Sequence, residues 1–289
     1  MKNHLEPMKI TRKFRSLLEE KDIIVAPGAY DALSAKIIER VGFPAVYLGS
    51  YIMQATVLGM PDTMNETLTE MVTYCRYIAN AINIPVIADA ENGFGNAIKV
   101  RRTVRELENA GVAAIHIEDH EFGKHTKLKP VLLPKEIMVE KIKAVVDTRL
   151  DKDFVIIART DALWAYGDLK EAIERCKAYA DAGADLLFIP TLPSQKVPEV
   201  AKILPVPLMN LNTPGVSIEE EKKRGLKILV YWSAPLLAAY KAVLKLMLEL
   251  KNRGFIDASE DKIATETEFE QFIGFKEYET LAAKYKLIL

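Results

Sequence analysis

The chain has 289 residues, 49% hydrophobic and 27% charged, with 14 glycines and 14 prolines. This is the composition of a globular protein with a large core, and it excludes a mainly disordered, collagen-like or low-complexity chain. The 39 Lys and Arg against 40 Asp and Glu leave a formal charge of -1, without the basic excess of a nucleic-acid or membrane-surface binder, so a small-molecule partner is expected.

At the N-terminus, Met1–Pro7 mixes charges before any apolar stretch, unlike a signal peptide, and a cytosolic chain is expected. Ile23–Pro27 then opens a series of short apolar, β-branched runs: Ala45–Leu48, Val86–Ala88, Ala114–Ile117, Val155–Ala158, Leu186–Ile189, Leu208–Leu211 and Ile228–Tyr231. Unbroken apolar runs suit strands covered on both faces, as in a parallel sheet, whereas half-solvated strands alternate. Between them lie amphipathic stretches at Ala32–Arg40, Glu66–Ala81, Ala97–Asn109, Lys135–Asp147 and Leu169–Asp181, the crossovers that parallel strands need. Gly42, Gly111, Gly183 and Gly225 each follow a helical stretch, where a left-handed residue stops a helix. The pattern predicts a (β/α)8 TIM-type barrel forming a single domain over 1–289, with a doubly wound open sheet as the second reading. From about 241 the chain reads as a C-terminal helical extension: Lys241–Asn252 is amphipathic and Thr267–Lys286 alternates aromatics with charges.

Ile228–Tyr240, the longest nearly uncharged run, contains Pro235 and is too short to cross a bilayer as a helix. Cys75 and Cys176 stand far apart and read as two buried thiols rather than a disulfide or a zinc site. His4 and His116 are isolated, and His116 falls inside a strand run, where a core role is expected.

In such a barrel, chemistry gathers at the C-terminal ends of the strands. There the third run closes on Asp89-Ala90-Glu91-Asn92-Gly93-Phe94-Gly95-Asn96, the fourth on Glu118-Asp119 and the fifth on Arg159-Thr160-Asp161. Carboxylates meeting at one mouth repel each other unless a cation or an Arg neutralises them. Oxygen ligands without a Cys or His pair suit Mg2+ or Mn2+ better than zinc, with Asp89 as direct ligand and Glu91 and Glu118 acting directly or through water. The bland alternative is helix capping or pairing with Arg159. Gly49-Ser50 offers backbone N–H groups and a hydroxyl to an anion, while Gly93-Phe94-Gly95 reads as a tight turn rather than a nucleotide cradle. His120–Pro130 is a long, polar, cationic loop of a kind that closes over an anionic substrate and places a proton donor.

Together these residues resemble the isocitrate lyase/phosphoenolpyruvate mutase superfamily. The resemblance is carried by Ala26-Pro27-Gly28-Ala29-Tyr30-Asp31, Tyr47-Leu48-Gly49-Ser50, Leu58-Gly59-Met60-Pro61-Asp62, the Asp89–Asn96 run, Ile117-Glu118-Asp119, Ile157-Ala158-Arg159-Thr160-Asp161-Ala162 and Ala182-Gly183-Ala184-Asp185. It implies a Mg2+-dependent barrel that binds 2-oxo or 2-hydroxy acids and passes through an enolate-like or oxalate-like oxyanion. It puts the metal-site positions on Asp62, Asp89, Glu91 and Glu118 and the substrate-carboxylate positions on Gly49, Ser50 and Arg159. Tyr47 and Asn212 join the substrate-binding set, and the gating loop falls on Lys124–Leu128. It also implies a homotetramer in which a C-terminal helix is exchanged between neighbours.

The loop departs from the lyase branch. Lyases that split isocitrate or methylisocitrate carry Lys-Arg-Cys-Gly-His, and here the stretch is Lys124-His125-Thr126-Lys127-Leu128. Thr126 stands in the place of the Cys acid, and a hydroxyl is a poor proton donor near neutral pH. The loop is similar to the phosphonopyruvate hydrolase/mutase branch, while the strands resemble 2-methylisocitrate lyases. Glu91 replaces the usual second Asp, and Asn210-Leu211-Asn212-Thr213-Pro214 lacks the Glu expected after the seventh strand. The resemblance implies a carbon–carbon lyase acting on a small 2-hydroxy or 2-oxo dicarboxylate. Lys124, His125 and Thr126 form its catalytic loop, with His125 as proton carrier. The alternatives are phosphonopyruvate hydrolase or phosphoenolpyruvate mutase chemistry, and a metabolite-binding barrel without turnover. Tyr51, Trp164, Asn212 and Trp232 are expected to set the pocket size.

Overall fold

The computed structural model describes residues 8–122, 124–257 and 263–286. The readings of Met1–Pro7 and His4 fall outside the described residues, as does Gly123 in the loop. The chain divides into two compact units, Met1–Leu236 and Leu237–Leu289.

In the first unit, every predicted apolar run is a strand to within a residue: β1 (Ile24–Pro27), β2 (Val46–Leu48), β3 (Val86–Asp89), β4 (Ala114–Glu118), β5 (Val155–Arg159), β6 (Leu186–Phe188), β7 (Leu208–Leu211) and β8 (Ile228–Tyr231). They pair in parallel in the order β1-β8-β7-β6-β5-β4-β3-β2. Gly28 bridges to Tyr47, and the Ala29 N–H donates to the Tyr47 carbonyl at 2.9 Å, so the first and second strands close the ring. Gly28 is required at that seam, since a Cβ there would stand 1.9 Å from the Trp232 carbonyl oxygen.

Strand side chains alternate with a period of two. Ile24, Ala26, Ile87, Ala114, Val155, Ile157, Leu186, Met209, Ile228 and Val230 fill the inside of the barrel. Val46, Leu48, Val86, Ala88, Ile115, Ile117, Ile156, Ala158, Leu187, Leu208 and Leu229 face the surrounding helices. Both faces are dry, which is why the strands read as unbroken apolar runs. A helix that the periodicity did not mark, Ile10–Glu19, adds the fully buried Phe14 to the inner cluster.

The crossover helices begin later than predicted in two places, at Leu68 and Val100. Thr67 and Glu70 form a reciprocal cap that stops the first of these from starting at Glu66. The His120–Pro130 segment is not wholly a loop, because His120–Phe122 pairs antiparallel with Val131–Leu132. The run Ile228–Tyr240 is two elements, β8 and a helix at Ala234–Arg253 with Pro235 in its first turn, where the missing N–H costs nothing. No described helix is long and apolar enough to cross a membrane. Cys75 and Cys176 are free and buried.

The second unit is helical. Thr267–Lys286 is not one helix: Gly274, at φ 94°, separates Glu266–Ile273 from Phe275–Lys284. Ala234–Arg253 has no buried residue along its length.

Candidate active site

Because the alternation carries on past the strand ends, Tyr47, Asp89, Arg159, Asp161, Phe188, Leu211 and Trp232 all turn towards one mouth. With Gly49, Ser50, Tyr51, Asp62, Lys124, His125, Trp164, Pro190 and Thr191 they line a cavity of about 140 Å3. Drug-sized ligands occupy roughly 300–1,000 Å3, so this cavity suits a small metabolite.

Carboxylate oxygens of Asp89, Glu91 and Glu118 converge within 4.8 Å of one another, all buried. The Lys124 ammonium stands among them, 2.5 Å from Glu91 Oε2, 3.1 Å from Glu118 Oε1 and 3.6 Å from Asp62 Oδ2. Arg159 Nη1 lies 3.0 Å from Glu118 Oε2, and its Nε and Nη2 grip Asp161 at 2.9 and 3.0 Å. Asp89 Oδ2 accepts from the Ser50 N–H (3.1 Å) and hydroxyl (2.9 Å), and Oδ1 accepts from the Glu91 N–H (2.8 Å). Glu91 adopts φ 48° to make that last bond, a left-handed conformation of the kind found at functional sites.

The charges are strongly displaced. Burial opposes the charge on Asp89, yet His116, Lys124 and Arg159 together outweigh it and hold the carboxyl below its usual range. Burial raises Glu91, and Lys124 offsets this only in part while Glu118 and Asp89 add to it. Glu118 is also raised by burial, against Arg159 and Lys124. Burial disfavours the Lys124 cation, but Glu118, Glu91 and Asp89 win and keep it protonated. Glu91 Oε1 has no hydrogen-bond partner, and both Glu118 oxygens have ion pairs without hydrogen-bond geometry. Hard, buried oxygens with unserved lone pairs are a donor set that fits a hard divalent cation.

Beneath the cluster, the Tyr47 hydroxyl and His116 Nε2 are 2.9 Å apart. Burial pushes His116 down to about 4 and Tyr47 well above 10. Tyr47 therefore donates to a neutral imidazole, leaving the ring proton on Nδ1, 3.6 Å from Asp89 Oδ1. His116 is thus a core histidine, as expected, but one that abuts the site.

A second layer fixes the Arg159-Thr160-Asp161 turn. Asp119, on the outer face by alternation, accepts from the Thr160 hydroxyl (2.7 Å), the Asp161 N–H (2.9 Å), Tyr179 (2.8 Å) and Arg175 (3.1 Å). His120 Nδ1 lies 3.1 Å from Asp161 Oδ2. Thr160 and Asp161 stand in a strand-end run that the sequence already marked, whereas Tyr179 and Arg175 carry no motif, and only the outward parity of Asp119 hints at them.

Of the residues singled out from sequence, Tyr47, Gly49, Ser50, Asp62, Asp89, Lys124, His125 and Arg159 line the cavity, and Glu91 and Glu118 join the cluster below Lys124. Gly49 is needed there because a Cβ would stand 2.9 Å from the Tyr47 ring. Tyr51, Trp164 and Trp232 line the cavity; Asn212 does not, and its place is taken by the inward-facing Leu211. Thr126 is exposed and off the cavity, its hydroxyl accepting from the Leu128 N–H at 3.1 Å. His125 Nε2 is 3.3 Å from Asp62 Oδ2. Buried Gln54 anchors the Asp62 segment, donating to Asp62 Oδ1 at 2.9 Å. Neither Gln54 nor Glu66, also buried near the cluster, was legible as a site residue.

The phosphoenolpyruvate phosphomutase family profile matches residues 14–251. The chain is similar to a 2,3-dimethylmalate lyase of Eubacterium barkeri, with 41% identity over 96% of this chain and 99% of the relative. It is similar to a 2-methylisocitrate lyase of Aeropyrum pernix, with 39% identity over 92% and 87%. Among solved structures, a phosphonopyruvate hydrolase in complex with oxalate and Mg2+ superposes with a TM-score of 0.88 and 30% identity, covering 96% of this chain and 99% of that one. Fold, sequence span and the residues at the barrel mouth agree, and the chain belongs to the phosphoenolpyruvate phosphomutase family, within the isocitrate lyase/phosphoenolpyruvate mutase superfamily.

Proposed function

We propose that the protein is a Mg2+- or Mn2+-dependent carbon–carbon lyase acting on a small 2-hydroxy or 2-oxo dicarboxylate, with an alkyl-substituted malate as the favoured substrate. The observation that carries this reading is the convergence of Asp89, Glu91 and Glu118 beside Arg159 in a cavity sized for a small acid. Asp89, with Asp62, Glu91 and Glu118, would hold the divalent ion, which would supply Lewis-acid stabilisation of negative charge on the substrate. Arg159, oriented by Asp161 and Glu118, binds the substrate carboxylate together with Gly49, while Tyr47, whose hydroxyl is committed to His116, lines the cavity. Ser50 contributes by fixing Asp89, to which its N–H and hydroxyl are both committed. In cleavage the 2-hydroxyl passes its proton to a carboxylate of the cluster, the C2–C3 bond breaks to leave a carbonyl at C2, and the electron pair stays on C3. His125, on the cavity wall, delivers the proton to C3. Lys124 neutralises the carboxylates, and Thr126 steadies the loop through Leu128.

Trp164, Phe188, Pro190, Leu211 and Trp232 give the cavity an apolar lining as well. This favours an alkyl substituent over a third carboxylate. Turnover of malate, 2,3-dimethylmalate, citramalate and oxaloacetate with Mg2+, followed by release of the 2-oxo acid, tests the reading; no turnover of any of them sinks it. Phosphate release from phosphonopyruvate would favour the hydrolase reading, which rests on the Lys124, Thr126 and Leu128 spacing. Ligand binding without turnover of either class would leave a metabolite-binding barrel.

The assembly belongs to the same proposal: a single barrel domain with a helical extension, cytosolic, assembled as a homotetramer. Val25, Pro27, Ile37, Val41, Phe43, Ile218 and Tyr231 line an open apolar groove on the barrel wall. The C-terminal unit exposes Leu237, Val243, Leu244, Met247, Leu248, Phe269, Phe275 and Tyr278. Apolar surface on this scale marks an interface, and a second copy of the chain supplies its complement. Two buried free thiols suit a reducing compartment. Light scattering on the purified chain reads the assembly, and a monomer would refute it.

A further inference from the structure

The segment 120–132, which carries Lys124 and His125, is pinned at its base to the turn that aims Arg159. Asp119, fully buried, precedes this segment, and its carbonyl accepts from the N–H of Leu133, just past it, at 2.8 Å. The Asp119 carboxylate reaches the other way: Oδ1 takes the Asp161 N–H and Oδ2 the Thr160 hydroxyl. Asp161 in turn holds Nε and Nη2 of Arg159, and His120, the first residue of the segment, stands 3.1 Å from Asp161 Oδ2. One outer helix, Leu169–Asp181, ties these pieces together. Its Arg175, buried and off the cavity, donates through Nη1 to both Asp119 Oδ2 (3.1 Å) and the Leu133 carbonyl (2.8 Å), while Nε is anchored on Glu171 at 2.8 Å. Tyr179, one turn on, adds its hydroxyl to Asp119 Oδ2 at 2.8 Å. A buried ion pair by itself adds little stability over apolar packing. Four directed donors on the Asp119 carboxylate, with both ends of the segment in the same set of contacts, instead restrict geometry, as supporting hydrogen bonds behind a binding group do.

We propose that Arg175 is a positioning residue for the reaction: through Asp119 it holds the turn that aims Arg159, and through Leu133 it locks that turn to the base of the Lys124 segment. The grip on the substrate carboxylate and the loop are thereby set as one piece. This rests on the reading of Arg159 as the group that binds the substrate carboxylate. Arg175→Lys keeps a charge beside Asp119 but has no planar fork to serve Asp119 and Leu133 while anchored on Glu171. A residue that only held helix Leu169–Asp181 in place would show in the melting temperature and not in ligand affinity.

The test is calorimetric titration of the full chain, first with MgCl2 alone and then, in saturating MgCl2, with oxalate as a small dicarboxylate probe. Wild type, Arg175→Lys and Arg159→Lys are compared below their melting temperatures. For Arg175→Lys the expected result is an oxalate Kd raised about tenfold, the scale seen when groups that orient a binding residue are removed, with the Mg2+ Kd within about twofold of wild type. An oxalate Kd within about twofold of wild type, or parallel losses for oxalate and Mg2+, overturns the proposal while leaving the role of Arg159 intact. A wild-type chain that does not bind oxalate, or an Arg159→Lys chain that binds it as tightly as wild type, overturns both. If Arg175→Lys does not fold, Tyr179→Phe decides: it keeps the ring and removes one donor to Asp119, a weaker grip on oxalate at unchanged Mg2+ affinity is expected, and unchanged oxalate affinity refutes the coupling.

Discussion

The Nζ of Lys124 lies 2.5 Å from Oε2 of Glu91, both side chains 2% exposed, with Glu118 on the other side of the ammonium at 3.1 Å. A loop residue therefore supplies the counter-charge that carboxylates from β3 and β4 require. Lys124→Met removes it and leaves buried carboxylates facing each other. The expected loss of stability is about 3 kcal/mol or more in chelator, by analogy with broken buried ion pairs. Because a divalent ion entering the same carboxylates replaces the missing charge, Mg2+ is expected to raise the melting temperature of Lys124→Met more than that of wild type. Equal shifts in the two proteins would show that ammonium and metal do not share the site.

Arg159 uses its guanidinium as a fork, holding both oxygens of Asp161 and one of Glu118. Lysine cannot span that geometry, so Arg159→Lys is expected to lower kcat/KM by about 100-fold or more, chiefly through KM for the dicarboxylate. Steady-state kinetics on the preferred malate reads this. A loss under fivefold would take Arg159 out of the substrate-carboxylate role.

Both tryptophans of the chain line one cavity. Trp232 meets Tyr51 edge-on at 5.0 Å, Tyr51 meets His125 at 6.0 Å, and His125 meets Trp164 at 5.8 Å. Ligand binding is expected to change tryptophan emission. Since one methyl in an apolar pocket is worth about tenfold or more in discrimination, Trp232→Ala is expected to reduce the preference for 2,3-dimethylmalate over malate by about that factor. A preference that survives in both Trp232→Ala and Trp164→Ala would place the substituent elsewhere.

Lys141, buried on helix Lys135–Thr148, donates to the Asn92 carbonyl. Burial pushes it down from 10.5 to about 8, only partly offset by Glu121 and Glu118. Between those values the unfolded chain holds the proton and the folded chain does not, so this group's contribution to stability rises with pH across that window. Urea unfolding at both ends of the window should show wild type gaining on Lys141→Met by on the order of 1–3 kcal/mol towards the alkaline end. A difference that stays flat or runs the other way would sink the assignment.

The sequence by itself determined the barrel, its eight strands and the end at which function collects. Strands covered on both faces must be apolar throughout, and the acids after Ala88, Ile117 and Ala158 stand where those apolar runs end. Only the tertiary structure decided which neighbour does which work. Asn212 and Leu211 are adjacent in the chain, yet only the leucine reaches the cavity. Lys124 and Thr126 share one loop, yet the lysine is buried among carboxylates and the threonine is exposed. Gln54 lies outside any pattern that polar residues display in sequence, and Asp119, though it closes the fourth run, gives no sign there of the Arg175 and Tyr179 it meets. Their roles arise from contacts between segments far apart in the chain, which spacing along a single strand or helix does not encode.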